Sequence, residues 1–568
     1  MRKKLFLAVK ILFLIITAIL FGSAFGSVYA KGYTATYAGD GYYDSSMWNQ
    51  YISGDVNTKP LYIYVDGMAK TGDFYMSRNM ELMVPVRKIT ECFNCAENFY
   101  PENELVLQKK DIVLKFYKDQ QNCYYKNDEK IDFNGVVEIV EDQMFIASSA
   151  ITENFGFENY WDSQINTVDF ATVWQDSIFP AYYNLRDEGR DTKVKNQGSH
   201  GTCWAVAALS ALETTIRPEE ELNFAAEHMA LKNSFTKKVD DGGEYTMSMA
   251  YLLSWQGPVL EEDDPYGDMV SPDGLSPVKH VQEIQIIKDK NIDKIKQAVF
   301  KNGAVQTSIY TSLKNSLSRS KYYNREKYAY YYDGNEEQNH EIIIIGWDDN
   351  FSKDNFTVKP QNDGAFICQN SWGENFGDDG IFYISYEDTR IGQQSIVYSG
   401  IENTDNYDNI YQTDLCGWVG QIGYGRESCY FANVFTSKGN QKVKGVGFYI
   451  TGDNSAYEIY KVSQYNNTED LTDGELIAVG ETENAGFYTV NINQPFSVTE
   501  DEKFAIVIRL YTPDAVHPVA VEYAVDGRCE NVDLTDAEGY ISPYGNDWVN
   551  VEKSYNCNVC MKVYTDNE

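Results

Sequence analysis

The chain reads as a multidomain protein. An α+β unit in the middle carries the chemistry, a small α+β unit precedes it, and an antiparallel β-sandwich follows. Three observations predict this. At 568 residues the chain exceeds what one hydrophobic core holds together. An Ala/Leu-rich stretch with helical spacing opens at Cys203, and short apolar runs of strand character follow it at 341–345 and 366–368. From about residue 405 the pattern changes to brief polar/apolar alternations broken by frequent turns. The expected boundaries are 1–30 for an export segment, 31–58 for a linker, 59–172 for the first unit, 173–395 for the central unit and 405–568 for the sandwich.

The first segment combines Arg2-Lys3-Lys4, an apolar run from Ile11 to Phe21, and small residues leading to Ala30. That is the layout of a secretory signal peptide, cut after Ala30. A retained N-terminal anchor helix is the alternative, although Lys10 shortens its apolar length. No Cys lies near the cleavage point, which excludes a lipoprotein anchor. The expected location is therefore outside the cell, secreted or at its surface.

A formal charge of −36 excludes nucleic acid as a partner, because phosphate binding needs clustered Lys and Arg and no such run follows the signal. An acidic surface suits a secreted protein and favours basic substrates. Ten cysteines invite disulfides in that setting. Cys92-x-x-Cys95 and Cys557-x-x-Cys560 have zinc-like spacing but no His at ligand distance in sequence. Local disulfides or plain thiols are the better reading, and no metal or cofactor is expected.

In the first unit one element is duplicated. Ile89-Thr90-Glu91-Cys92-Phe93 recurs as Ile151-Thr152-Glu153-Asn154-Phe155, each a few residues after a short apolar run. The region resembles the small domain named after the N-terminal part of copper amine oxidases. It carries no His cluster to bind copper, so the expectation is a spacer, a surface-attachment module or a structural pro-region.

The central unit holds Lys195-Asn196-Gln197-Gly198-Ser199-His200-Gly201-Thr202-Cys203-Trp204. A thiol at a helix N-terminus meets the positive end of the helix dipole, which favours the thiolate nucleophile. Gln197, six residues earlier, is an amide donor for a developing oxyanion. Downstream, His340 enters an apolar run and Asn370 ends another, within Asn370-Ser371-Trp372-Gly373. A base for the thiol proton and a group to orient that base complete a cysteine hydrolase.

These residues resemble the papain-like cysteine peptidases over roughly 180–388. The resemblance implies an α+β catalytic domain with a helical left half and a β-barrel right half. It implies Cys203 as nucleophile, His340 as general acid/base, Asn370 as its orienter and Gln197 as oxyanion donor, with Trp372 shielding the His340–Asn370 hydrogen bond. It also places Gly242, Gly243, Glu244, Tyr245 and Glu341 around the subsite for the second residue before the scissile bond. Glu341 stands where the family usually has a small residue, which points to a preference for Arg or Lys there. Alternatively Glu341 faces solvent or acts on His340. One disulfide of the family is replaced at both ends, by His200 and Asp240, as an ion pair or as two independent surface changes. No inhibitory prosegment of the family's usual type is visible upstream.

The last unit is similar to the lectin-like domain that follows papain-type catalytic domains in clostridial proteins. Tyr411, Trp418, Tyr424 and Tyr430 near its start are candidates for stacking on sugar rings, although with 44 Tyr in the chain the enrichment discriminates poorly. The expected function is a monomeric cysteine endopeptidase acting on proteins or peptides, with cell-wall or carbohydrate ligands as further partners. An adhesin on a papain-like scaffold and a peptidoglycan-cleaving cysteine amidase are the rivals.

Overall fold

The computed structural model describes residues 62–172, apart from short stretches, and 179–568 without interruption. The export segment and the linker lie outside the described residues. Among the described residues no helix is long and apolar enough to cross a membrane.

The duplicated element of the first unit is a strand followed by a helix. Strand Leu82–Pro85 leads through a 3-10 turn to helix Ile89–Phe93, and strand Gln143–Ala147 runs directly into helix Ser148–Phe155. The two strands pair antiparallel, Val84 opposite Ile146, so the copies face each other across one small sheet. Gly156 ends the second helix in the left-handed region at φ 74°, the usual glycine C-cap. A five-stranded meander over residues 96–132 completes the unit, around a core that includes Phe93, Phe116, Phe145 and Phe155.

In the central unit helix Cys203–Thr215 is buried from Trp204 to Thr214. A helix apolar on all sides needs neighbours on all sides. It has them in helices Ala226–Leu231 and Tyr245–Leu253 and in strands His340–Asp348 and Gln394–Glu402. Strand His340–Asp348 is buried from its first residue to Trp347. It pairs antiparallel with Val305–Ile309 on one side and Ala365–Gln369 on the other. Its register slips at Gly346, where strand Tyr182–Asn184 crosses. A side chain at Gly346 would meet the Tyr183 carbonyl at 2.1 Å.

The sandwich predicted at the C-terminus is present, and it is joined to the central unit by its backbone. Strand Ala485–Val498 pairs antiparallel with His280–Lys288, Ile286 opposite Ala485 and Glu283 opposite Tyr488. One 13-stranded sheet therefore runs from the central barrel into the sandwich, through Ala485–Val498, Gln441–Ile450 and Met561–Asn567. At the seam Gly486 adopts φ +150°, and a Cβ there would lie 2.1 Å from the Ile284 carbonyl. The second layer of the sandwich is a six-stranded sheet with Lys503–Tyr511 and Ser428–Thr436 at its centre. Val446, Phe448, Ile506 and Ile508 fill the space between the layers. Phe487, Ala520, Cys529 and Cys560 belong instead to the core of the central unit. Two separately closed modules would not share a core in this way.

Candidate active site

Helix Cys203–Thr215 begins without a side-chain cap. Thr202 occupies the cap position, but its hydroxyl pairs with the Tyr266 hydroxyl at 2.7 Å instead. The first helical N–H groups, those of Cys203 and Trp204, are thus left to the Cys203 sulfur, which also receives the backbone N–H of Glu341. That last contact brings the start of strand His340–Asp348 onto the thiol. Burial nevertheless outweighs these donors and pushes the Cys203 thiol up to about 11. Desolvation therefore opposes the thiolate that the helix dipole favours.

His340 lies at the entrance of its strand and is 7% exposed. Its Nε2 is 2.8 Å from Asn370 Oδ1. The same Oδ1 accepts the Ser371 N–H at 2.8 Å, which fixes the amide with its oxygen toward the imidazole. An oxygen accepts, so Nε2 carries the proton and Nδ1 holds the lone pair. Burial holds the His340 imidazole down at about 4, against the raising effect of Asn370. Burial thus disfavours charge on both the thiol and the imidazole. The Trp372 ring lies 4.8 Å from the His340 ring between centroids, tilted by 31°.

Gln197 is held on three sides. Its Oε1 accepts the Ser371 hydroxyl at 2.5 Å, its backbone N–H donates to the Ser371 carbonyl at 2.9 Å, and its carbonyl accepts Tyr266 Oη at 2.8 Å. With Oε1 engaged, Nε2 points the other way. One of its protons goes to the His200 carbonyl at 2.7 Å, and the second remains for a ligand. The segment 198–203 is braced by 239–243. His200 Nδ1 sits 3.1 Å from Asp240 Oδ1 where the family disulfide is replaced. A Cβ at Gly201 would strike the Val239 carbonyl at 2.7 Å, and one at Gly243 would strike the Trp204 ring at 2.5 Å. Gly242 supplies φ 72° at that turn.

Glu341 does not face solvent, as one reading of the sequence allowed. It is 5% exposed, its Oε1 accepting from Ser308 Oγ at 2.6 Å and its Oε2 from Gln306 Nε2 at 3.2 Å. The Tyr398 hydroxyl donates to Gln306 Oε1 at 2.7 Å and so turns that amide toward the carboxyl. Burial raises Glu341 to about 7 despite both hydrogen bonds, with nearby Glu244 adding to the rise. Its charge also acts on the Cys203 thiol and the Tyr245 phenol. Glu244 is half-buried at the start of helix Tyr245–Leu253 and pairs with Arg528, a residue of the last unit, at 2.5 Å.

Sequence reasoning missed Ser371, Tyr266, Gln306, Ser308 and Arg528. Only Ser371 had a signal, as a neighbour of Asn370; the rest are brought in by long loops and strand register. The aromatic residues proposed for sugar stacking do other work. Tyr411 is buried and donates to Gln441 Oε1 at 2.5 Å, Trp418 packs on the central core and Tyr424 on the sandwich core. Tyr430 lies half-buried under the Arg509 guanidinium at 5.7 Å. Cys557 and Cys560 are buried thiols and not a local disulfide.

The model of the papain family of cysteine proteases matches residues 179–401. Residues 179–401 are a papain-family cysteine protease domain. A lectin-like domain model matches 410–565, and the copper amine oxidase N-terminal domain model matches 69–170. Cathepsin K of Mus musculus is 26% identical to the papain-family domain region over 229 residues, covering 38% of this chain and 63% of the relative. The probable cysteine protease RD19B of Arabidopsis thaliana is 27% identical over 249 residues, covering 40% and 64%. The chain thus spans a little under two thirds of the length of these curated relatives. Among solved structures, a clostridial cysteine protease, Cwp84 after propeptide cleavage, superposes with TM-score 0.61 at 26% identity over 68% of this chain and 99% of that one. The cysteine protease and lectin-like domains of Cwp84, a surface layer associated protein of Clostridium difficile, give TM-score 0.59 at 26% identity over 70% and 90%. Both matches reach beyond the papain-family domain into the lectin-like one.

Proposed function

We propose that the chain is a secreted or surface-held cysteine endopeptidase, with Cys203 as nucleophile, His340 as acid/base, Asn370 as orienter and Gln197 as oxyanion donor. The observation that carries this is the His340 Nε2–Asn370 Oδ1 hydrogen bond of 2.8 Å, which leaves Nδ1 as the base beside a thiol at a helix start. The thiol proton passes to Nδ1 as sulfur bonds to the peptide carbonyl carbon. The oxygen takes the negative charge and is met by the free Gln197 Nε2 proton and the Cys203 N–H. Collapse breaks the C–N bond, with His340 Nδ1 giving its proton to the amine. A water then loses a proton to the same nitrogen, attacks the thioester and releases the acid.

The carboxyl of Glu341 supports a preference for Arg or Lys at the second position before the scissile bond, through a charge-assisted hydrogen bond once it is ionised. The likeness to Cwp84, described as surface layer associated, supports action at the cell surface. The test is hydrolysis of fluorogenic Arg-Arg, Phe-Arg and Leu-Leu amides by the chain lacking residues 1–30. Turnover abolished by Cys203→Ala and by an epoxysuccinyl inhibitor is expected. A folded protein without turnover, even after trimming of residues before 180, sinks the reading in favour of an adhesin or a wall amidase.

A further inference from the structure

We infer that Arg528, carried by the lectin-like unit, is a specificity residue of the protease cleft: it neutralises Glu244 at the mouth of the subsite and leaves Glu341 as that subsite's acidic group. The inference rests on the endopeptidase reading above.

Arg528 comes from a turn that is rigid before it reaches the cleft. The Val525 carbonyl accepts the N–H of Arg528 at 3.1 Å and that of Cys529 at 3.0 Å. Gly527, at φ 69°, donates its N–H to Glu530 Oε1 at 2.7 Å. Cys529 is fully buried in the core of the protease domain, so the turn is pinned immediately beyond the arginine. On the protease side the Thr236 N–H donates to the Arg528 carbonyl at 2.7 Å, and the Phe235 ring lies 5.9 Å from the guanidinium. The guanidinium itself reaches Glu244 Oε1 at 2.5 Å and Thr246 Oγ1 at 2.9 Å through Nη2. Backbone, ring and side chain therefore all engage one face of the protease domain.

The position of Glu244 makes this a matter of recognition as well as docking. Glu244 directly follows the Gly242-Gly243 turn and precedes Tyr245, and the Tyr245 phenol feels Glu244, Glu341 and Arg528 together. Two carboxyls and one guanidinium thus meet around a single phenol. A cationic substrate side chain arriving there meets one uncompensated acid. Without Arg528 it would meet two, and without Glu244 the arginine would repel it.

The test is the ratio of kcat/KM for an Arg-Arg amide to that for a Leu-Arg amide at pH 8, in the full chain lacking residues 1–30. In Arg528→Gln the ratio is expected to rise about threefold to fivefold, the range of a partly exposed ion pair. In Glu244→Gln it should fall by a similar factor, and the double variant should return to the wild-type ratio. Arg528→Lys should stay near wild type. If Arg528→Gln fails to fold, the Glu244→Gln arm alone decides. Ratios unchanged in both single variants, with Leu-Arg turnover intact and Cys203-dependent, overturn the inference and leave the endopeptidase reading standing. Loss of Leu-Arg turnover in the unmutated chain overturns both.

Discussion

Ser371 and Gln197 clamp each other through two bonds in opposite senses, the Ser371 hydroxyl donating to Gln197 Oε1 at 2.5 Å and the Gln197 N–H donating to the Ser371 carbonyl at 2.9 Å. The residue after Asn370 thereby sets the aim of the Gln197 amide. Replacing Gln197 by Ala should lower kcat about 10²–10³-fold, as loss of one oxyanion donor does elsewhere. Ser371→Ala keeps the donor but frees its amide to rotate, and should cost about tenfold in kcat with little change in KM. Steady-state kinetics on a Leu-Arg amide checks both. A Ser371→Ala enzyme with wild-type kcat would show that the clamp is dispensable.

Glu341 ties stability to pH in an unusual sense. Its folded carboxyl is raised from 4.5 to about 7, so the folded state holds a proton that the unfolded chain has released. Between these values the folded state binds more protons, and the contribution of Glu341 to stability falls as pH rises. The full difference is about 3 kcal/mol at most. His340, held at about 4 by burial, acts oppositely: its contribution is complete above 6.5 and is lost as pH falls toward 4. Comparison with Glu341→Gln isolates the first effect. The stability advantage of the wild type over Glu341→Gln should shrink steadily between pH 5 and 8 in denaturant titrations. A constant gap would show that the carboxyl is ionised throughout.

The opposite shifts that burial gives the Cys203 thiol and the His340 imidazole predict a broad activity plateau. With Cys203 near 11 and His340 near 4, kcat/KM on a substrate with Leu at the second position should hold level from about pH 5 to pH 10. It should fall below that range as His340 charges. With Arg at the same position a further rise centred near pH 7 should appear, as Glu341 ionises, and Glu341→Gln should remove it. A pH profile identical for both substrates would rule out Glu341 as the recognition group.

Gly486 predicts that the protease and sandwich units unfold together. Its φ of +150° and the 2.1 Å approach of a Cβ to the Ile284 carbonyl leave no room for a side chain at the seam. Gly486→Val should destabilise by about 2–4 kcal/mol through strain and displaced strand pairing. Calorimetry should show one transition for residues 179–568 in the wild type. Two separate transitions there, with only the sandwich affected by Gly486→Val, would mean that the seam is not cooperative.

Much of this was legible in the residues, for identifiable reasons. Cys203, His340, Asn370 and Gln197 sit in short local patterns whose chemistry requires those residue types, and the duplicated strand–helix element of residues 82–93 and 143–155 is written as a repeat. What a local pattern cannot hold is pairing between distant segments. The alternation in 485–498 fits a strand whatever its neighbour, so nothing marked His280–Lys288 as its partner. Arg528 lies 284 positions from Glu244 and carries no signature of a cleft residue. The helix start at Cys203 is visible in sequence, whereas the desolvation that opposes its charge is not. Tyr411 was read as a candidate for sugar stacking because its burial is likewise invisible in sequence.

The shared sheet also imposes an order on biosynthesis. A chain emerging from its N-terminus presents Cys203, His340 and Asn370 long before Ala485–Val498 and Cys529 exist to cover strand His280–Lys288 and complete the protease core. Until then that strand has an open edge on one side, and the core lacks Phe487, Ala520, Cys529 and Cys560. A chain halted between residues 370 and 484 thus carries Cys203, His340 and Asn370 but not the strands that cover His280–Lys288 from that side. The closing of the shared sheet thus waits for its last strands, when translation has all but finished.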